Sequence, residues 1–382
     1  MPSFRQEPRR VYETCMGVCK RRRAIDDQLL WGNMKIAVLL SGGVDSSVAL
    51  SLLKEEGHAL TAFYLKVWLE DELAYLGECP WEEDLELARA VCDRFDVALQ
   101  VRSLQKEYWD RVVQYTIDEL RAGRTPSPDI FCNQRIKFGA FYDEIDTSFE
   151  RVATGHYARL EPVNGLVLLK KGVDQVKDQT YFLSHMYQEQ LQRASFPIGA
   201  LQKSEVRQRA AALDLPNQAR KDSQGICFLG KIKYSAFVRH HLGEREGDVV
   251  ELGTGKVLGA HRGYWFHTIG QRQGLGLSHG PWFVQNKDLA RNIVYVTHAD
   301  TLEQSAKDRY CVEKLHWIAG PPSARELQVR IRHGRALFDA DVELTDDGAR
   351  VHLDRGETGI APGQFTVFYD GDVCLGGAMI VG

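Results

Sequence analysis

The stretch Lys35-Ile-Ala-Val-Leu-Leu-Ser-Gly-Gly-Val-Asp-Ser-Ser47 decides the fold. An apolar run of strand length, Ile36 to Leu40, enters a paired-glycine turn and leaves through Ser46 to Glu56 with the texture of a helix. Strand, tight loop and helix open an α/β unit. Glycine without a Cβ lets the main chain approach an anion, and free N–H groups at the positive end of a helix stabilise phosphate charge. Ser41, Ser46 and Ser47 can add hydroxyl donors. Asp45 would repel phosphates unless Mg2+ lay between them, so it points to a metal-bridged nucleotide.

The pattern continues outward from that loop. Ala59 to Val67 reads as a second strand, Asp84 to Phe95 as a helix with Leu85, Ala88, Val91 and Cys92 on one face, and Val97 to Val101 as a buried strand. Tyr108 to Leu120 reads as one long amphipathic helix, and Arg151 to Tyr157 as a strand ending in a glycine loop. Alternating strands and helices imply a parallel sheet covered on both faces. Beyond about residue 230 short β segments separated by glycine take over. After residue 300, the alternation in Leu327 to Arg332 and the turns at Asp347-Gly348, Pro362-Gly363 and Asp370-Gly371 predict an antiparallel barrel. The expected division is a basic extension over 1–34, a catalytic α/β domain over 35–230, a central connecting module over 231–300 and a β barrel over 301–382.

Bulk properties narrow the function classes. At 44% hydrophobic and 26% charged, the 382 residues are those of a folded soluble protein. No run approaches the roughly 20 apolar residues of a membrane span, so no membrane partner is expected. The formal charge of -4 conceals asymmetry: from Lys203 to Arg239 eight Lys or Arg face only Glu205, Asp214 and Asp222, a segment suited to nucleic-acid backbone or to a solvated helix face. Residues 1–34 carry Arg5, Arg9, Arg10 and Lys20 to Arg23 with no apolar signal core, which fits an organelle transit peptide (plastid or mitochondrion) or a plain leader on a cytoplasmic protein. Eight scattered cysteines fit an intracellular compartment rather than a disulfide scaffold, and no dedicated protein metal site is expected.

Two cysteines stand in suggestive surroundings. In Thr125-Pro-Ser-Pro-Asp-Ile-Phe-Cys132 an acid precedes a thiol by three residues, which places Asp129 and Cys132 on one face if a helix begins at Asp129. Either the thiol is primed by the helix start and by Arg124, Arg135 and Lys137, or Asp129 is a cap and Cys132 a small buried residue. Cys227 sits in the polar, glycine-bounded Lys221 to Gly230. Sulfur transfer needs one thiol to carry sulfur and another to resolve the bond, so the pair outweighs either residue alone.

Ser41 to Ser47 resembles the SGGxDS signature of the PP-loop ATP pyrophosphatases, and the chain from about Lys35 onward resembles the tRNA-specific 2-thiouridylase family. Ala153 to Arg159, Lys177 to Leu183, Phe196 to Gly199, Thr268 to Gly276 and Ala361 to Phe365 match that family in order, while Cys79-Pro-Trp81 and Lys177 to Ser184 look like its plastid and cyanobacterial branch. The resemblance implies a Rossmann-like parallel-sheet domain followed by a small module and the barrel. It implies that Leu39, Leu40, Ser41, Gly42, Gly43, Val44, Asp45, Ser46, Leu65 and Gly155 hold ATP with Mg2+. It further implies Asp129 as acid/base, Cys227 as persulfide carrier and Cys132 as its nucleophile partner, able to form a transient disulfide with it. Family tRNA contacts fall on Ser127, Pro128 and Asp129 at the target base, and on His156, Lys177, Asp178, Gln179, Arg330, Ile331 and Gln364. Ser127 replaces the usual Asn, Leu39 a common Gly and Leu65 a frequent Met. Implied partners are tRNA and a sulfur-donor protein, a cysteine desulfurase or a persulfide carrier. Tyr157 or Phe131 is expected to stack on the extruded uridine, and the Lys203 to Arg239 segment with the barrel to grip tRNA backbone. Rival readings are a PP-loop ligase acting on a small molecule and a non-catalytic tRNA-binding homologue.

Overall fold

The computed structural model describes residues 33–67, 81–222, 233–334 and 337–381. The opening stretch forms β1 (Lys35–Leu39), the loop and α1 (Val44–Glu55), followed by β2 (Ala59–Lys66), α2 (Trp81–Phe95) and β3 (Ala98–Ser103). Successive side chains of a strand point to opposite faces, and here both faces are covered. Ile36, Val38 and Leu40 pack with Leu50, Leu53, Leu85, Ala88 and Val91 on one side. Ala37 and Leu39 pack with Phe63, Tyr108, Val112 and Ile117 on the other. This double cover is why the β1 run contains no polar alternation.

Two expectations are corrected. The helix over Tyr108 to Leu120 is not uniform: α-helical Gln105–Tyr108 widens into π-helical Trp109–Val113 and narrows again in Gln114–Arg121. Val97 to Val101 is not a buried strand either. Among the described residues β3 lies at the sheet edge, paired with β2 on one side, and Val101 is 42% exposed.

Further along come α3 (Pro128–Phe131), which continues into π-helical Cys132–Ala140, and then β4 (Arg151–Ala153). The hairpin β5 (Ala158–Val163) and β6 (Leu166–Lys171) precedes β7 (Ala194–Ser195) and α4 (Lys203–Ala212). The first sheet is parallel throughout in the order β3-β2-β1-β4-β7.

After α5 (Tyr234–Leu242), the central module is a four-stranded mixed sheet of β8 (Gly247–Glu251), β9 (Val257–His261), β10 (Trp282–Asp288) and β11 (Ile293–His298). The last six strands are β12 (Lys307–Trp317), β13 (Glu326–Arg330), β14 (Phe338–Leu344), β15 (Gly348–Glu357), β16 (Phe365–Asp370) and β17 (Val373–Ile380). They run antiparallel in the order β12-β15-β14-β13-β16-β17, and pairing of β12 with β17 closes the barrel. The start of β17 also pairs with β6, Val373 opposite Lys170 and Cys374 opposite Leu169, so the β5–β6 hairpin of the first domain extends the barrel wall. Among the described residues no helix is long and apolar enough to cross a membrane.

Candidate active site

The Ser41 to Ser47 loop is shaped by close approach. Gly42 adopts φ +72°, and a Cβ there would lie 2.4 Å from the Asp84 carbonyl oxygen. A Cβ on Gly155, at the end of β4, would lie 2.6 Å from the backbone nitrogen of Ser46. The loop after β4 is thus pressed against the start of α1, which only glycine allows. The Ser46 and Ser47 hydroxyls both donate to the Gly43 carbonyl at 3.0 Å, and no side chain caps α1 at Gly43. The helix start therefore keeps its dipole for an anion. Asn217 Nδ2 and Arg220 Nη1 donate to the Gly42 carbonyl at 2.8 and 3.1 Å, and Arg220 also pairs with Asp84, which holds the loop from outside. Leu39 and Leu40 are buried beneath it, with Leu65 half-buried at the end of β2.

Asp45 does not stand alone. It accepts from Tyr157 Oη at 2.8 Å and from Lys203 Nζ at 2.7 and 2.9 Å. Lys203 also reaches Asp222 at 2.7 Å, and Asp222 accepts from Lys177 and Arg207 at 2.6 Å each. Burial works to raise the Asp222 pKa, but the hydrogen bonds from Lys177 and Lys203 win and hold its carboxyl well below the usual range. Burial, reinforced by the Asp45 charge, pushes the Tyr157 phenol up. Asp174 orders the approach by accepting from the backbone N–H groups of Val176, Lys177 and Lys203 at 3.0, 3.1 and 2.9 Å.

Three of the eight cations counted from Lys203 to Arg239 are engaged in this hub, where Lys203, Arg207 and Arg220 pair with Asp45, Asp222 and Asp84. One cleft on the barrel is lined by Glu326, Asp339, Asp341, His352, Asp354 and Asp370, and its carboxylates repel a polyanion.

The helix carrying the first thiol begins at Pro128 with Ser127 as its N-cap, so Asp129 lies within the first turn. Cys132 is 3% exposed and opens the π-helical segment. The nearby cations are engaged: Arg124 with Glu119 at 2.5 and 2.8 Å, Lys137 with Asn133 at 3.0 Å, and Arg135 over the Phe131 ring at 3.8 Å. The other neighbours of Phe131 are Tyr115, His185 and Phe365, with ring centroids 4.5, 6.2 and 5.7 Å away. Tyr157 is buried with its hydroxyl committed to Asp45. Neither ring therefore presents an open face for a base, contrary to the expectation drawn for them.

The barrel reaches this segment directly. Thr125 N donates to the Pro362 carbonyl at 2.8 Å, and Gln364 Nε2 approaches the Pro126 carbonyl and Ser127 Oγ at 3.4 Å each. Gln179 Oε1 accepts from Tyr157 N at 3.0 Å, next to Asp178. Asp178 accepts from Gly172 N at 3.1 Å, from Thr180 Oγ1 at 3.0 and 2.9 Å, and from Arg330 Nη1 at 2.8 Å. Asp178 and Arg330 are 1% and 6% exposed, and Ile331, Pro128 and His156 are buried as well. Burial, with Lys137 nearby, drives the His156 imidazole well below its ordinary pKa, and its Nδ1 lies 2.7 Å from Thr154 Oγ1. Ser127, Asp129, Lys177, Gln179 and Gln364 keep partial exposure. Cys227 and Cys79-Pro80 lie outside the described residues, as do 1–32 of the basic extension.

Three residues escaped the sequence reading: Asp222, Asn217 and Lys203 as a neighbour of Asp45. Spacing could not say which distant lysine would lie beside Asp45.

Three family models match in order: a tRNA methyl transferase HUP domain over residues 34–231, a tRNA methyl transferase PRC-barrel domain over 235–298, and an aminomethyltransferase β-barrel domain over 307–380. The chain is similar to the tRNA-specific 2-thiouridylase MnmA of Parabacteroides distasonis, 47% identical over 355 residues that span 91% of this chain and 99% of the relative. It is 46% identical over 354 residues to MnmA 2 of Bacteroides fragilis, spanning 91% and 100%, and 46% identical over 362 residues to MnmA of Porphyromonas gingivalis, spanning 91% and 99%.

Proposed function

The chain belongs to the tRNA-specific 2-thiouridylase family, and from that premise we propose that it uses ATP to replace the C2 oxygen of the tRNA wobble uridine with sulfur. The observation that carries this reading is the contact of Gly155 with the start of α1, which joins two distant segments into one phosphate cradle beside Asp45. Asp45 and Asp222 fit the needs of a nucleotide-borne Mg2+, being paired carboxylates within reach of a single ammonium. Mg2+ would offset phosphate charge there.

An amide-like oxygen is a poor leaving group, and an AMP ester of it is a good one. The uridine C2 oxygen attacks the α-phosphorus and pyrophosphate leaves with the bonding electrons. The outer sulfur of a persulfide on Cys227 then attacks C2, and AMP departs with the oxygen. Cys132, as thiolate, attacks the inner sulfur of that persulfide, which leaves sulfur on the base and a disulfide between Cys132 and Cys227 for an intracellular thiol reductant to reopen. Asp129, three residues before Cys132, takes up or returns the proton. Ser127 and Gln364 meet at the mouth of this segment, which supports their role at the target base. A donor protein such as a cysteine desulfurase or persulfide carrier supplies the sulfur, in an intracellular compartment where tRNA is present. The Ser41-Gly-Gly-Val-Asp-Ser46 loop suits adenylation rather than methyl transfer.

Incubation with tRNA, ATP, Mg2+ and a persulfide donor, followed by nucleoside mass spectrometry, should yield 2-thiouridine. Cys132→Ser and Cys227→Ser should each lose it while retaining tRNA-dependent exchange of pyrophosphate into ATP. Absence of 2-thiouridine with the unaltered protein would sink the reading, and full 2-thiouridine from Cys227→Ser would overturn the relay through that thiol.

A further inference from the structure

We propose that Lys203 is the phosphate-binding lysine of the nucleotide site, supplying from α4 the cation that the Ser41 to Ser47 loop lacks. The inference rests on the ATP use assigned above. A loop that cradles polyphosphate commonly carries its own lysine to offset charge, and none follows these glycines. The fold places one there from 158 positions further along the chain, with Nζ 2.7 Å from Asp45 Oδ1.

Three observations point the ammonium at the phosphates rather than at a purely structural task. Its side chain is only 15% exposed, so its reach is confined to this site. Its backbone N–H donates to Asp174 Oδ2 at 2.9 Å, which fixes the root from which the side chain extends. And its two carboxylate partners already have other donors, Tyr157 on Asp45 and both Lys177 and Arg207 on Asp222. When a divalent cation takes over Asp45, Lys203 can turn to phosphate oxygens without leaving a buried charge unpaired. Its charge then counts most for the departing pyrophosphate, where negative charge accumulates as the bond to the α-phosphorus breaks.

The test is binding of inorganic pyrophosphate and of ATP, each with Mg2+, to the full chain by calorimetry, with no tRNA present. Lys203→Gln should weaken pyrophosphate at least tenfold, Lys203→Arg should recover part of that loss, and Arg209→Gln, which removes a cation of the same helix that pairs with Glu55 outside the hub, should stay within twofold. A circular dichroism melt on each variant separates lost binding from lost fold. Should Lys203→Gln unfold, Lys203→Arg carries the test, and no measurable pyrophosphate binding by a folded Lys203→Arg chain would overturn the proposal. It is equally overturned if Lys203→Gln binds pyrophosphate as the unaltered protein does, or if Arg209→Gln loses as much as Lys203→Gln. An unaltered protein that binds neither ATP nor pyrophosphate would instead overturn the nucleotide reading itself.

Discussion

The Asp45 hub and the Asp178–Arg330 joint are both built from charge, but only one of them can exchange partners. At the joint, a carboxylate and a guanidinium 152 positions apart meet at 2.8 Å with almost no solvent access. At the hub, Asp45 and Asp222 share Lys203 with partly exposed neighbours, so a ligand can enter the set. A buried pair has no solvent to fall back on when a partner is lost, whereas an open network redistributes. The first arrangement locks the barrel against the catalytic domain, and the second leaves room for a ligand to enter.

The largest test of this contrast is Arg330→Met, which strands Asp178 in the interior and should cost about 3–5 kcal/mol of stability by chemical denaturation. A loss below about 1 kcal/mol would mean the joint is held by packing and not by charge. Asp222→Asn comes next, at about 2 kcal/mol near neutral pH, since it weakens hydrogen bonds to charged donors. Its pH dependence sharpens the point. The folded pKa of Asp222 lies below its unfolded value, so its contribution is present above the usual carboxylate pKa of about 4 and fades as pH falls through the folded value. The gap between variant and unaltered protein should therefore close on acidification, and a gap constant down to strong acid would contradict the assigned ion pairs. Tyr157→Phe deletes one hydrogen bond to Asp45 and should cost about 1 kcal/mol, because Lys203 still serves that carboxylate. The smallest effect is expected for Val101→Thr on the edge strand β3, within about 0.5 kcal/mol, and a larger loss in a thermal melt would show that this flank is covered in solution.

Much of the catalytic domain was legible because its information is local. Ile36 to Leu40 alternates between two covered faces, Leu85, Ala88, Val91 and Cys92 form the predicted helical stripe, and the glycine loop lies where strand gives way to helix. Another local signal went unread: Asn164-Gly165, both at positive φ, makes the turn between β5 and β6. Even that signal would not have revealed where the hairpin goes, since its pairing with β17 spans some two hundred positions. The basic texture from Lys203 to Arg239 was legible only in part, for a related reason. Sequence counts charges but not the direction in which they point, and three of them turn to carboxylates inside.

What the chain's order of residues determined by itself was the class of fold and the kind of ligand, since strand periodicity, glycine without a Cβ and a helix start act over a few neighbouring positions. What only the tertiary structure decided was which distant side chains complete that site: Lys203 and Tyr157 on Asp45, Asn217 and Arg220 on Gly42, Arg330 on Asp178. Coulombic and hydrogen-bond partners are chosen by distance in space, and distance in space is fixed only once the sheet, the hairpin and the barrel have closed around one another.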